Sequence, residues 1–126
     1  MNRSSTIESY RDLQVWQRGV DLTERIYQAT QPFPPDERFG LVAQLRRAAV
    51  SIPSNIAEGW GRISTAEFIR FLSIAHGSLT EVETQIIVSR RLGFIDESVK
   101  RRILDETTVE RKMLRALIRS LERRSA

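Results

Sequence analysis

The sequence predicts an all-α fold: a single domain over residues 1–126, built as an up-down-up-down antiparallel four-helix bundle. Three observations carry that prediction. Apolar residues recur at steps of three and four through four long segments, the spacing that places side chains on one helix face. No stretch alternates apolar and polar as a half-buried strand would. The segments are joined by short breaks, which set successive helices side by side and antiparallel. The chain has 126 residues, 40% hydrophobic and 29% charged, the length and balance of one domain around one core.

The first helix is expected over about 12–30, with Leu13, Trp16, Val20, Thr23 and Tyr27 on one face and Asp12 or Ser9 as N-cap. Gln31-Pro32-Phe33-Pro34-Pro35 stops it, because proline lacks a donor and restricts the residue before it. Pro35 can open a second helix over about 36–60, with Asp36 and Glu37 placed well for its dipole. That helix carries two stripes. Leu41, Leu45, Ala49, Ile52, Ile56 and Trp60 form an apolar face; Gln44, Arg47, Ser51, Asn55, Glu58 and Arg62 form a polar one. Both stay in phase past Pro53, so the proline is expected to kink the helix rather than end it.

Gly59 and Gly61 close the second helix, and Ser64-Thr65-Ala66-Glu67 is a capping box for a third over about 65–92. The third buries Phe68, Phe71, Leu72, Ala75, Leu79, Val82 and Ile86 and ends at Gly93. It has further apolar residues off that face, Ile69, Ile74, Ile87 and Val88. Large apolar patches rarely stay exposed, so self-association follows. The fourth helix spans about 97–123, with Val99, Ile103, Thr107, Leu114, Leu117, Ile118 and Leu121 inward.

Composition excludes several classes. No cysteine is present, hence no disulfide framework or thiolate metal site. No apolar run approaches the roughly 20 residues that span a bilayer. The polar stretch Met1 to Tyr10 lacks the apolar run of a signal peptide, so a cytoplasmic protein with no membrane association is expected. The formal net charge of +4 is unevenly placed: from Arg90 onward eleven basic and six acidic residues give +5, leaving −1 for the rest. A basic C-terminal segment on a nearly neutral body suggests an anionic partner.

Four stretches resemble a known family. They are Asp12-Leu13-Gln14-Val15-Trp16-Gln17; Phe33-Pro34 through Phe39-Gly40-Leu41; the run Gln44 to Arg62; and Glu67-Phe68 through Phe71-Leu72, Ala75, Gly77-Ser78-Leu79 and Glu81 to Glu83. Over roughly Arg11 to Ile95 the chain is similar to the 23S rRNA intervening-sequence proteins, while the fourth helix matches them only in general character. The resemblance implies a left-handed four-helix bundle that assembles as a ring, typically a homopentamer. A related branch comprises accessory proteins of diversity-generating retroelements, which pair with a reverse transcriptase and bind nucleic acid through a basic surface. Most members have no established biochemical role.

Enzymatic signals are poor, and a non-enzymatic protein with no cofactor and no metal is expected. The lone histidine, His76, has no evident partners for a metal cluster or a nucleophile–base pair, so a structural or interface role is expected. No P-loop or dinucleotide fingerprint occurs. The polar stripe of the second helix reads either as phosphate contacts from Arg46, Arg47 and Arg62, or as a structural network. The network would link Arg46, Arg47, Asn55, Glu58 and Arg62 with Glu83 and Glu110, which need partners if buried. Arg46 and Arg47 are candidates for that pairing, and the structural reading is the favoured one.

The nucleic-acid candidate is the fourth helix, where Arg101, Lys112, Arg115, Arg119 and Arg123 share the face opposite the apolar stripe. With few aromatics beside them, phosphate contact to RNA or DNA would dominate over base stacking. A solvated face, with Asp105 interrupting the row and Glu122 beside Arg119 and Arg123, is the plain alternative. The competing function is an interaction scaffold or accessory subunit for a polymerase or ribosome-associated partner, without direct nucleic-acid contact.

Overall fold

The computed structural model describes residues 6–125. The expected domain span of 1–126 therefore begins and ends on residues, 1–5 and 126, that lie outside the described ones. So does the first half of the polar N-terminal stretch. Four helices account for the described chain: α1 (Gln14–Thr30), α2 (Leu41–Trp60), α3 (Thr65–Arg91) and α4 (Glu97–Ser125), with single 3-10 turns at Tyr10–Asp12 and Pro35–Glu37. No strand occurs among the described residues.

Each helix packs on its neighbour in sequence, and α1 also packs on α4, so the four close a square. The residue pairs run in opposite order along each interface. Arg46 meets Thr30, Ala49 meets Thr23 and Pro53 meets Gly19 between α1 and α2. Gln44 meets Gln85, Ser51 meets Ser78 and Gly59 meets Phe71 between α2 and α3. Glu83 meets Thr107 and Arg90 meets Glu97 between α3 and α4. The core they enclose centres on Leu22, Ile26, Leu45, Ile52, Ile56, Leu72, Leu79, Ile86, Ile103 and Leu114, all fully buried.

Two starts differ from expectation. Ser9 caps not α1 but the preceding 3-10 turn: its Oγ accepts from the Arg11 amide, and the Asp12 carboxylate accepts from the Ser9 and Glu8 amides. The second helix begins at Leu41 rather than near residue 36. Pro35 opens only a 3-10 turn, Gly40 adopts a non-helical backbone (φ −102°, ψ −111°), and the Glu37 carboxylate takes the Leu41 N–H at 3.2 Å.

The buried face of α1 is also rotated by about one position from the expected one. Val15, Gly19, Leu22, Ile26 and Thr30 are buried, whereas Val20 and Tyr27 are exposed. Gly19 explains the rotation. Without a side chain it lets α1 sit directly on α2; a Cβ there would lie 3.3 Å from Ile52 and 3.4 Å from Pro53. Tyr27 instead lies outside, its ring under the Arg46 guanidinium at 4.4 Å.

Pro53 sits inside an unbroken α2 because α1 supplies what the proline removes. With no N–H at Pro53, the Ala49 carbonyl four residues earlier loses its helical donor. The Thr23 hydroxyl reaches that carbonyl at 3.0 Å, and the Gly19 carbonyl at 2.8 Å. At the far end of α2, Gly59 packs directly against α3. A Cβ there would fall 2.8 Å from Phe71 Cβ and 2.9 Å from Phe68 Cδ1.

The remaining ends follow local chemistry. Ser64 Oγ accepts the Glu67 amide, but Glu67 turns to Arg70 instead of returning the bond, so half of the expected capping box forms. Gly93, at φ 81°, ends α3 in the left-handed conformation that favours glycine, and the Phe94 amide returns to the Ser89 carbonyl. Asp96 caps α4 by accepting from the Val99 amide at 2.9 Å, which holds its carboxyl below the usual range.

Candidate nucleic-acid interface

Helix α4 divides electrostatically into two halves. In the first half, cations and acids neutralise each other. Glu97 receives Lys100 at 3.1 Å, Arg90 at 3.2 Å and Arg101 at 3.4 Å, and these partners, Lys100 foremost, hold its carboxyl below the usual range. Glu106 joins Arg25 of α1 at 2.7 Å and reaches Arg102 at 3.9 Å. In the second half, Lys112, Arg115, Arg119 and Arg123 are exposed and form no ion pair among the described residues. Neither Asp105, expected to interrupt the row, nor Glu122, beside Arg119 and Arg123, pairs with any of them among the described residues. Arg101 therefore stands apart from the other four candidates: it lies on the same face but is committed to Glu97.

Neither the half-buried Glu83 nor the buried Glu110 is partnered by Arg46 or Arg47. Glu83 on α3 is bonded by Arg111 and by the Thr107 hydroxyl of α4, the latter at 2.6 Å. Arg46 turns the other way, to Thr30 Oγ1 at 3.0 Å and the Tyr27 carbonyl at 3.3 Å, and Arg47 is exposed. The misassignment has a simple cause: Arg46 and Arg47 lie at the α1 side and outer side of α2, whereas Glu83 faces α4.

Glu110 has no hydrogen-bond partner for either carboxylate oxygen and is 1% exposed. Burial pushes its pKa up to about 8, opposed by the charge of Arg18 on α1. Burial thus favours its protonated, neutral form.

The polar stripe of α2 is assembled only in part. Asn55 Nδ2 donates to the Ser51 carbonyl and to Ser51 Oγ, both at 2.8 Å, and Ser51 Oγ meets Ser78 Oγ at 2.8 Å across to α3. Gln85 Nε2 donates to Gln44 Oε1 and Glu81 Oε2 at 3.3 Å each. Glu58 forms an exposed pair at 2.7 Å with Arg62, which lies just past the end of α2 and outside that network. Arg62 also lies 4.8 Å above the Phe71 ring, which Arg70 approaches at 4.6 Å.

Where α3 meets the second half of α4, an open groove of about 410 Å³ is lined by Ser73, His76, Arg115, Ile118 and Arg119. The His76 Nε2 is buried without a partner. Sequence reasoning missed this groove because it joins two helices about forty residues apart in the chain. Among the described residues no group of three or more His, Cys, Asp or Glu could hold a metal ion, and no helix is long and apolar enough to cross a membrane.

The comparisons with known proteins agree with this architecture. The chain is similar to a solved structure from Bacteroides thetaiotaomicron, described as a protein with unknown function from the S23 ribosomal protein family. The two share 26% sequence identity with a TM-score of 0.75, over 82% of this chain and 97% of that one. No curated protein matches. The sequence profile for the 23S rRNA-intervening sequence protein matches residues 11–116, which carries the likeness well into α4, beyond the Ile95 limit read from motifs. The chain belongs to the 23S rRNA-intervening sequence protein family.

Proposed function

We propose that this protein is a non-enzymatic, self-associating helical bundle that binds RNA or DNA through the second half of α4, with little sequence preference. The observation that supports this reading is the absence of counter-ions, among the described residues, along Lys112, Arg115, Arg119 and Arg123. Cations that pair with acids gain little from meeting phosphate; cations without partners release the counter-ions of the nucleic acid at no internal cost. Four such contacts give a salt slope of about −3.6 on duplex DNA, or about a hundredfold loss of affinity between about 50 and 200 mM salt.

The test is binding of nucleic-acid-free protein to structured RNA and duplex DNA across a salt series, with Arg115→Glu/Arg119→Glu/Arg123→Glu beside it. The triple variant breaks no ion pair, so it is expected to keep its fold and mass while losing binding. Arg101→Glu is expected to retain most of it. Unchanged binding by the triple variant would reject the interface.

Self-association is supported by a second observation. The residues of α3 exposed between Ser73 and Val88 are Ser73, Ile74, Gly77, Thr80, Glu81, Thr84, Ile87 and Val88, and only Glu81 is charged. A homopentameric ring would repeat the arginine row around its circumference and multiply the charge. Should this face engage another protein instead, the scaffold reading applies: a stoichiometric protein partner would co-purify and nucleic acid would not bind.

A further inference from the structure

We propose that the α3–α4 groove is a subsite for a single phosphate of a nucleic-acid backbone, a reading that rests on the function proposed above. Arg115 and Arg119 lie one helical turn apart, about 6 Å along the axis, and both line the groove. Neither has an acidic partner among the described residues. Each guanidinium offers planar paired donors that match the two non-bridging oxygens of a phosphodiester. Ser73 opposes them from α3 with a hydroxyl that can donate a further bond.

Ile118 and His76 complete the lining of the groove. His76 Nε2 is itself buried, so the imidazole borders the groove as a reporter of ligand binding and not as a donor to it. A buried ring nitrogen without a partner is uncommon in a folded protein. It belongs to the side chain that walls the groove.

The chain's single histidine makes the test direct, because its imidazole protons give one set of resonances. These are followed by NMR while a short RNA lacking terminal phosphates is added, with fluorescence anisotropy recording total binding. A saturable shift of the His76 signals is expected, abolished in Arg115→Gln/Arg119→Gln and retained in Arg101→Gln. The double variant should also lower the magnitude of the salt slope by about 2. RNA that binds without moving the His76 signals would overturn the subsite and leave the broader interface standing. No RNA binding even at low salt would overturn both. Inorganic phosphate or a poly-glutamate peptide that moves the signals when RNA does not would overturn the phosphodiester reading.

Discussion

Replacing Glu110 with glutamine should stabilise the protein, by an amount that grows with pH. The carboxylate is 1% exposed and unpartnered, and its pKa is raised from 4.5 to about 8. Below pH 4.5 both the folded and unfolded forms hold the proton, and the group costs nothing through ionisation. Between 4.5 and 8 the unfolded chain releases the proton while the folded one keeps it, so stability falls by about 1.4 kcal/mol per pH unit. The loss reaches about 3 kcal/mol at pH 7 and levels near 5 kcal/mol above pH 8. Glutamine keeps the shape and cannot ionise. Urea unfolding of both proteins from pH 5 to pH 9 isolates the effect, since every other titrating group cancels in the difference. A difference of about 1 kcal/mol or less is expected at pH 5, and a variant midpoint higher by roughly 1–3 M urea at pH 7. A difference that stays flat with pH, or a variant less stable at pH 7, would show that Glu110 is ionised and accommodated in the folded protein.

Two further perturbations probe the helix contacts. Thr23→Val removes the hydroxyl that serves the Ala49 carbonyl and should cost about 1–3 kcal/mol by thermal or urea unfolding. In a Pro53→Ala background, which restores a helical N–H to that carbonyl, the same change should cost much less, and equal costs in both backgrounds would refute the coupling. Gly59→Ala should destabilise by about 1–3 kcal/mol despite alanine's helix propensity, because its Cβ meets Phe71 and Phe68 below 3 Å. Gly77→Ala, in α3 with nothing within 4 Å, should stabilise by about 0.5–1 kcal/mol; loss of stability there would indicate that another molecule packs on the exposed face of α3.

What could be read from the sequence was whatever depends on neighbours along one helix. The apolar faces of α2 and α3, the Ser64 cap and the Gly93 stop need only local spacing and turn chemistry, and the structure shows each of them. On α1, Leu13 and Trp16 pack on the core as expected, but Val20 and Tyr27, which continue their stripe at helical spacing, lie outside, and only contact with Pro53 reveals why Gly19 faces inward. Carboxylate partners were misassigned for the same reason. Glu83 chooses Arg111 across the α3–α4 interface, a distance in sequence of 28 residues that no periodicity encodes. On α4 the basic row was visible, but the difference between Arg101 and the later arginines depends on how Glu97 shares itself among three cations.

The bond from Thr23 to Ala49 also bears on how the chain folds. Before α1 docks, Pro53 leaves α2 as two short helical stretches meeting at an unserved carbonyl, and stretches of that length are marginal in water. Continuity of α2 is therefore a product of tertiary assembly, and the α1–α2 hairpin should mature as one cooperative unit. Hydrogen exchange would register that unit as a single block: amides flanking Pro53 would open together with those around Thr23, and loosening α1 would unzip the middle of its neighbour.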